Sequence, residues 1–209
     1  LPEGLDTSLP DTEEYAEYLL LSAIRAQGFI SAKEAAYQRR GMLAPITKTI
    51  QRLAAEKKIM PLKIADVTEN YWCFPELPNQ KTVAKKQIRL LSPFDNSLIQ
   101  RQRLQRIFGY DFQIECYLPE PRRQYGYFCL PVLFNNQFTG RLDPKADRAT
   151  GIFHVKALHI EHAPADQEKF IKSLAAELKR FAAHHGCTEV RIEKGVPLGL
   201  RKALNGSLT

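Results

Sequence analysis

Apolar residues at helical spacing predict three helices within the first 60 residues. Asp11-Thr12-Glu13-Glu14 and Ser31-Ala32-Lys33-Glu34 fit the capping box, in which two side chains bond each other's backbone N–H groups at a helix start. The first helix is predicted from the helical spacing of five residues, Tyr15, Tyr18, Leu19, Ser22 and Ala23. Pro45 suits the first turn of a third helix, where its missing N–H would be unpaired in any case.

The third helix is expected to have one buried and one exposed side. Its buried stripe is formed by Ile46, Ile50, Leu53 and Ala54. Its other face carries Thr47, Lys48, Gln51, Arg52, Ala55 and Lys58. Residues 59–64 and 71–74, separated by a polar turn, then predict a two-stranded hairpin. Three helices and a hairpin are typical of the winged helix, whose third helix enters the DNA major groove.

A linker separates this part from a region of alternating apolar and polar positions. Residues 76–80 show no periodicity of apolar positions, and two prolines, Pro75 and Pro78, lie close together here. This composition is typical of a linker and places a domain boundary near residue 80. A short helix is expected around Leu98 to Ile107, capped by Asp95 or Asn96. Antiparallel strands are then predicted over residues 113–117, 125–135, 137–142 and 151–162. Of these, residues 125–135 are apolar on both faces, which predicts burial on both sides.

The last part of the chain predicts a long amphipathic helix over residues 166–185. Its inward side chains are Phe170, Ile171, Leu174, Leu178, Phe181 and Ala182, and Gly186 ends it. A strand over residues 189–193 and a short helix over residues 198–204 follow. The predicted class is therefore α+β. A winged helix-turn-helix domain (residues 1–80) precedes an antiparallel-sheet domain with a C-terminal amphipathic helix (residues 81–209).

The distribution of charge indicates an anionic partner. The chain has 30 Lys and Arg against 23 Asp and Glu, for a net charge of +7. Residues 81–148 hold twelve basic and six acidic side chains, and residues 31–63 hold eight and two. Nucleic acid is the commonest anionic partner of a soluble basic protein, so the positive field around the third helix and in mid-chain favours DNA.

The remaining composition predicts a cytoplasmic protein with no metal and no small-molecule cofactor. No apolar run is long enough to span a bilayer, so no membrane partner is expected. The four cysteines have no zinc-ligand spacing and are typical of reduced core thiols. His159 and Glu161 could offer two metal ligands from one strand, but the sequence shows no third ligand beside them.

Three separated motifs stand out between residues 91 and 148. They are Leu91-Ser92-Pro93-Phe94-Asp95-Asn96, the run from Arg101 to Pro119, and Gly140-Arg141-Leu142-Asp143-Pro144-Lys145-Ala146-Asp147-Arg148. In their order they resemble the motifs of the AlkZ/YcaQ family of winged-helix DNA glycosylases. The resemblance extends from Leu1 to about His162. It implies a DNA-repair enzyme that cleaves N-glycosidic bonds to remove N7-alkylated purines or to unhook interstrand crosslinks.

The catalytic signature of that family is a Gln, a hydrophobic residue and a second Gln or an Asp, and this sequence does not match it well. Gln100-Arg101-Gln102 has Arg at its centre and follows the Ser-Pro-Phe-Asp motif, so we assign no catalytic residue. With a start at Leu1, this departure leads us to expect the C-terminal portion of a longer protein. Whether the chain is itself an enzyme stays open. Structural ion pairs are expected for Asp95, Glu115, Asp143, Asp147 and Glu161.

Double-stranded DNA is the expected partner, held through basic and polar side chains. The predicted contacts are Thr47, Lys48, Gln51, Arg52, Lys58, Lys63, Arg101, Arg103, Arg122, Arg123, Arg141 and Lys145. For Arg101 and Arg103 the alternative is pairing with nearby carboxylates. For the whole chain the alternatives are a non-enzymatic winged-helix transcriptional regulator and a protein-interaction module.

Overall fold

The computed structural model describes residues 8–81 and 87–208. The chain divides into two compact units, Leu1–Thr82 and Val83–Thr209. Both units combine helices with a sheet, so the predicted α+β class is confirmed. Within the two described ranges, no helix has the length and apolar character that crossing a membrane requires.

The first unit has three helices and a small antiparallel sheet. Its elements are α1 (Thr12–Gln27), β1 (Phe29–Ile30), α2 (Ala32–Ala35), α3 (Leu43–Ala55), β2 (Met60–Leu62) and β3 (Tyr71–Cys73). The strand order is β1-β3-β2. Both predicted capping boxes are present, at Asp11 and Ser31. The sequence did not predict β1, because two residues are too few to show alternation.

The core of the first unit forms where α1 packs against α3. On α3 the predicted stripe is confirmed, since Ile46, Ile50 and Leu53 are buried. On α1 the buried row is Ala16, Leu20 and Ile24. The residues noted at helical spacing, Tyr15 to Ala23, do lie on α1, but Tyr18 is 65% exposed. Both rows have helical spacing, and only the position of α3 decides which of them is buried.

The second unit is built on a five-stranded sheet. Its elements are β4 (Ile88–Leu90), α4 (Arg101–Phe108), β5 (Leu130–Phe134), β6 (Gln137–Asp147), β7 (Ile152–Ile160), α5 (Gln167–His184), β8 (Glu189–Gly195) and α6 (Leu198–Leu208). The strands lie in chain order and pair antiparallel, except that β7 and β8 are parallel. The prediction of an antiparallel sheet is therefore wrong at this edge. The cause is α5, a crossover that returns the chain to the same end of the sheet.

Apolar clusters cover both faces of this sheet. On one face Val132, Leu142 and Val155 pack against Leu174 and Leu178 of α5. The cluster on the other face consists of Leu98, Leu104, Tyr110, Phe112, Cys129 and Phe138. Strand β5 contributes to both clusters, so its predicted burial on two sides is confirmed. A layer built from α4 and the loops around it thus lies across the sheet from α5.

Two strand predictions before β5 are wrong. Residues 113–117 form no strand, and β5 begins at Leu130 instead of residue 125. The backbone N–H groups of residues 124–126 bond the Glu115 carboxylate and do not join a neighbouring strand. The residues between form a long loop with one 3-10 turn at Glu120–Arg122. The helix α4 also begins later than expected, and Asp95 caps a turn at Ser97 instead.

Candidate functional site

A buried guanidinium lies at the centre of the layer across the sheet from α5. Arg141 of β6 is 3% exposed. Its Nε donates to Glu161 Oε1 at 2.7 Å, and its Nη2 donates to Glu161 Oε2 at 2.9 Å. Nη2 also donates to the carbonyl oxygen of Asp111 at 2.6 Å. This bidentate geometry ties β6 to the residue that follows β7 and to the segment after α4.

Three aromatic rings surround the same guanidinium. The Arg141 Cζ atom lies 4.0 Å from the ring centroid of Tyr125, 5.2 Å from that of Tyr110 and 5.4 Å from that of Phe112. Burial opposes the charge, but the hydrogen bonds and attraction of Glu161 outweigh it and raise the pKa of Arg141. Burial also raises the pKa of Tyr110, whose hydroxyl donates to the Gly140 carbonyl at 3.0 Å. These side chains form a rigid charged and aromatic cluster.

The Glu115 carboxylate anchors the loop above this cluster. It accepts hydrogen bonds from three successive backbone N–H groups, those of Gln124 at 3.0 Å, Tyr125 at 2.7 Å and Gly126 at 3.1 Å. Burial alone would favour the neutral acid, but the three N–H donors outweigh it and lower the pKa of Glu115. The ionised Glu115 carboxylate therefore holds the backbone of residues 124–126 in place.

A second carboxylate, that of Asp143, holds the other side of the loop. Gly126 has φ +148° and lies directly on it, since a Cβ there would come within 2.4 Å of Asp143 Cγ. The next anchored residue is Phe128, whose backbone N–H donates to Asp143 Oδ1 at 3.3 Å. Only glycine fits at position 126. A glycine between two aromatic residues in an expected strand was the sequence signal for this bend, and the sequence reasoning missed it.

The acids of this region act in two different ways. The sequence predicts ion pairs for them, and Glu161 does form one with Arg141. In contrast, Glu115 and Asp143 accept backbone N–H groups. His159 and Glu161, considered above as metal ligands, contact the Tyr125 carbonyl and Arg141 respectively. These contacts therefore position the loop that contains Tyr125.

The loop presents aromatic and basic side chains to solvent. We call residues 117–127 the Tyr-Arg loop. Tyr117 is 81% exposed and Tyr127 is 54% exposed. Arg122 is exposed, and the Cζ atom of Arg123 lies 4.9 Å from the ring centroid of Tyr127. A basic and aromatic surface on a fixed backbone suits contact with phosphates and bases.

The predicted DNA contacts of the second unit fall into two groups. Arg103 and Arg141 are buried, at 5% and 3% exposed. Arg101 donates to the carbonyl oxygens of Leu98 and Pro93 at 2.6 and 3.0 Å, and its guanidinium lies over the Phe112 ring. Arg103 and Arg141 are thus buried and Arg101 is half-buried, so phosphate contact by these three arginines stays a prediction. The contacts that remain at the surface are Arg122, Arg123 and Lys145.

In the first unit the exposed face of α3 carries paired charges. Lys48 forms an ion pair with Glu13 of α1, and Arg52 Nη2 lies 2.5 Å from Glu17 Oε2 of the same helix. The hydrogen bond to Glu17 raises the pKa of Arg52. Lys58 lies beyond the end of α3 and not on its face as expected, and it pairs with Glu56 at 2.7 Å. All these pairs are exposed to solvent, so each holds its basic side chain only weakly.

The other side of α3 borders a groove. Thr47 and Gln51 are exposed and line a groove of about 550 Å³, together with Asn70 and Trp72. The Thr47 hydroxyl donates to the Leu43 carbonyl at 2.8 Å. Lys63 lies exposed between β2 and β3. The predicted contacts of this unit therefore all lie at its surface.

A comparison with known families identifies the class of protein. The sequence profile of the family described as DNA glycosylase AlkZ-like matches residues 1–184. The chain belongs to this family, and the resemblance inferred from its motifs is confirmed. Membership implies DNA binding and a role in DNA repair. No solved structure matches the chain.

Removing Glu161 tests the central ion pair. Glu161→Ala leaves the buried Arg141 guanidinium without its carboxylate, so we expect the free energy of unfolding to fall by about 3 kcal/mol. Urea denaturation measures this loss. The matched control is Glu168→Ala, which removes an exposed ion pair with Lys172 and should cause no measurable loss. Equal stability of the two variants would contradict the central role of the pair.

Glu115→Gln tests the anchor of the Tyr-Arg loop. Amide hydrogen exchange at residues 124–126 should accelerate by about tenfold or more, since hydrogen bonds to a charged acceptor contribute about 1.5–3 kcal/mol. Glu120→Gln, an exposed change in the same loop, is the control. Indistinguishable exchange in the two variants would refute the anchor.

The same substitution should change the dependence of stability on pH. The pKa of Glu115 in the folded protein lies below its ordinary value of 4.5. Its contribution is therefore complete above that value and is lost as the pH falls through the lowered pKa. The difference in unfolding free energy between wild type and Glu115→Gln should shrink over this acidic range.

Proposed function

We propose that this chain holds double-stranded DNA for a base-excision reaction that removes N7-alkylated purines or unhooks interstrand crosslinks. The observation that carries the proposal is the Tyr-Arg loop, a fixed basic and aromatic surface in a member of a DNA glycosylase family. Arg122 and Arg123 would contact backbone phosphates there, and Lys145 of β6 would add a third contact.

The first unit supports a winged helix in this proposal. The three helices and the sheet of order β1-β3-β2 are compatible with a winged helix. In that fold α3 would enter the major groove and the β2–β3 hairpin would contact the backbone. Thr47 and Gln51 would then face base edges, and Lys63 would meet a phosphate. We accordingly assign residues 1–80 to a DNA-binding domain and residues 81–209 to a second domain.

The ion pairs of Lys48 and Arg52 reduce what α3 would contribute to the affinity for DNA. Lys48 and Arg52 must exchange Glu13 and Glu17 of α1 for phosphates when DNA binds. Such an exchange costs little because exposed pairs are weak. The acids nevertheless reduce the positive field on this face. Lys58 is paired with Glu56 in the same way. Among the predicted contacts, most of the Coulombic affinity should therefore come from Lys63, Arg122, Arg123 and Lys145.

Salt dependence of DNA binding tests the backbone contacts. Log Kobs should fall linearly with the logarithm of salt concentration, and Arg122→Ala or Lys145→Ala should each make the slope less negative by about 0.9. Fluorescence anisotropy with a labelled duplex measures both. Lys179→Ala on α5 removes an equal charge across the sheet and should leave the slope unchanged. An affinity insensitive to salt would refute the proposal, and a footprint at one sequence would favour a regulator.

An excision assay tests the assigned role. The chain is incubated with duplex carrying an N7-alkylguanine or its crosslink, and abasic sites are read by alkaline strand cleavage. We expect binding to this duplex without base release, because the sequence does not match the family's catalytic signature well. Base release by the chain would contradict a role limited to holding DNA. Asp95 and Asp143 would then be the first residues to replace.

A further inference from the structure

Tyr127 is exposed but held on both sides along the backbone. Before it, the N–H groups of residues 124–126 bond the Glu115 carboxylate. After it, the N–H of Phe128 bonds Asp143. Its ring is 54% exposed all the same. A large ring on a fixed backbone loses little conformational freedom when it binds something, so the arrangement favours contact with a ligand.

A guanidinium fixes the ring of Tyr127 from one side. The Cζ atom of Arg123 lies 4.9 Å from the ring centroid. Arg123 is itself oriented, since its Nε donates to the carbonyl oxygen of Leu118 at 3.0 Å. The ring and the guanidinium therefore form a pre-arranged cation–π pair at the surface. Such a pair attracts a partner that has both a planar π-face and a negative charge.

We propose that Tyr127, backed by Arg123, is a stacking platform for an unpaired base of the DNA. The inference rests on the proposed function and adds the state of the nucleotide that is bound. Bases of an intact duplex stack on their neighbours, so a protein ring can stack only on a base that has left the helix. Enzymes that act on a base in duplex DNA must expose it. The phosphate of the same nucleotide supplies the charge that Arg123 attracts.

The test compares two duplexes that differ by one nucleotide. One is fully paired, and the other carries a single unpaired 2-aminopurine as a bulge. The wild type should bind the bulged duplex about five- to a hundredfold more tightly, the range that stacking on one aromatic side chain provides. Stacking on Tyr127 should also quench the fluorescence of the 2-aminopurine. Binding of the paired duplex reports the proposed function separately.

Three variants assign the effect to the ring. Tyr127→Ala should bind the two duplexes equally and should no longer quench the 2-aminopurine. Tyr127→Phe should keep both, because stacking needs the ring and not the hydroxyl. Tyr117→Ala should also keep both, since Tyr117 is more exposed but lies outside the segment held by Glu115 and Asp143. Circular dichroism checks that each variant is folded.

Each failure has a distinct meaning. Equal binding of the two duplexes by the wild type overturns the stacking platform and leaves the proposed function standing. Loss of the preference in Tyr127→Phe overturns stacking in favour of a hydroxyl contact. Loss in Tyr117→Ala overturns the assignment to Tyr127. Failure to bind either duplex at low salt overturns the proposed function itself.

Discussion

A guanidinium buried away from water must be neutralised and must find acceptors for its N–H groups, and in the second unit this requirement falls on Arg141. Glu161 neutralises it, and the carbonyl of Asp111 supplies a further acceptor. The rings of Tyr110 and Tyr125 enclose it. These partners come from the segment after α4, the Tyr-Arg loop and the end of β7. One charge therefore holds together the layer that covers this face of the sheet.

The Tyr-Arg loop depends on the same principle with the opposite charge. The buried Glu115 carboxylate finds its donors in three successive backbone N–H groups, and Asp143 supports the adjoining glycine. The loop needs no strand partner because these acids satisfy its backbone. Residues that recognise ligands are often carried on loops positioned by a rigid scaffold. Here the scaffold is β6 with its buried Arg141 and Asp143, and the presented side chains are aromatic and basic, as contact with DNA requires.

The first unit shows why charge counted along a sequence is an incomplete guide to a binding surface. Residues 31–63 are strongly basic, yet both basic side chains of α3, Lys48 and Arg52, pair with acids of α1. The acids of α1 and the basic side chains of α3 are neighbours in space, so their fields partly cancel. In the second unit, basic residues close together in sequence likewise divide into buried arginines and exposed ones. The exposed group is the more accessible one to a polyanion.

The sequence by itself determined the features that local contacts control. The two capping boxes, the buried stripe of α3 and the length of α5 depend on neighbours within one or two helical turns. The family could be inferred from three motifs, each of which is a continuous run of residues. The tertiary structure decided which row of α1 is buried and that β8 pairs in parallel with β7. It also decided which arginines are buried and which are exposed. The Arg141–Glu161 pair spans 20 residues of sequence, and the bond from Tyr125 to Glu115 spans 10. Periodicity holds no information on such partners, because they meet only when the sheet has formed.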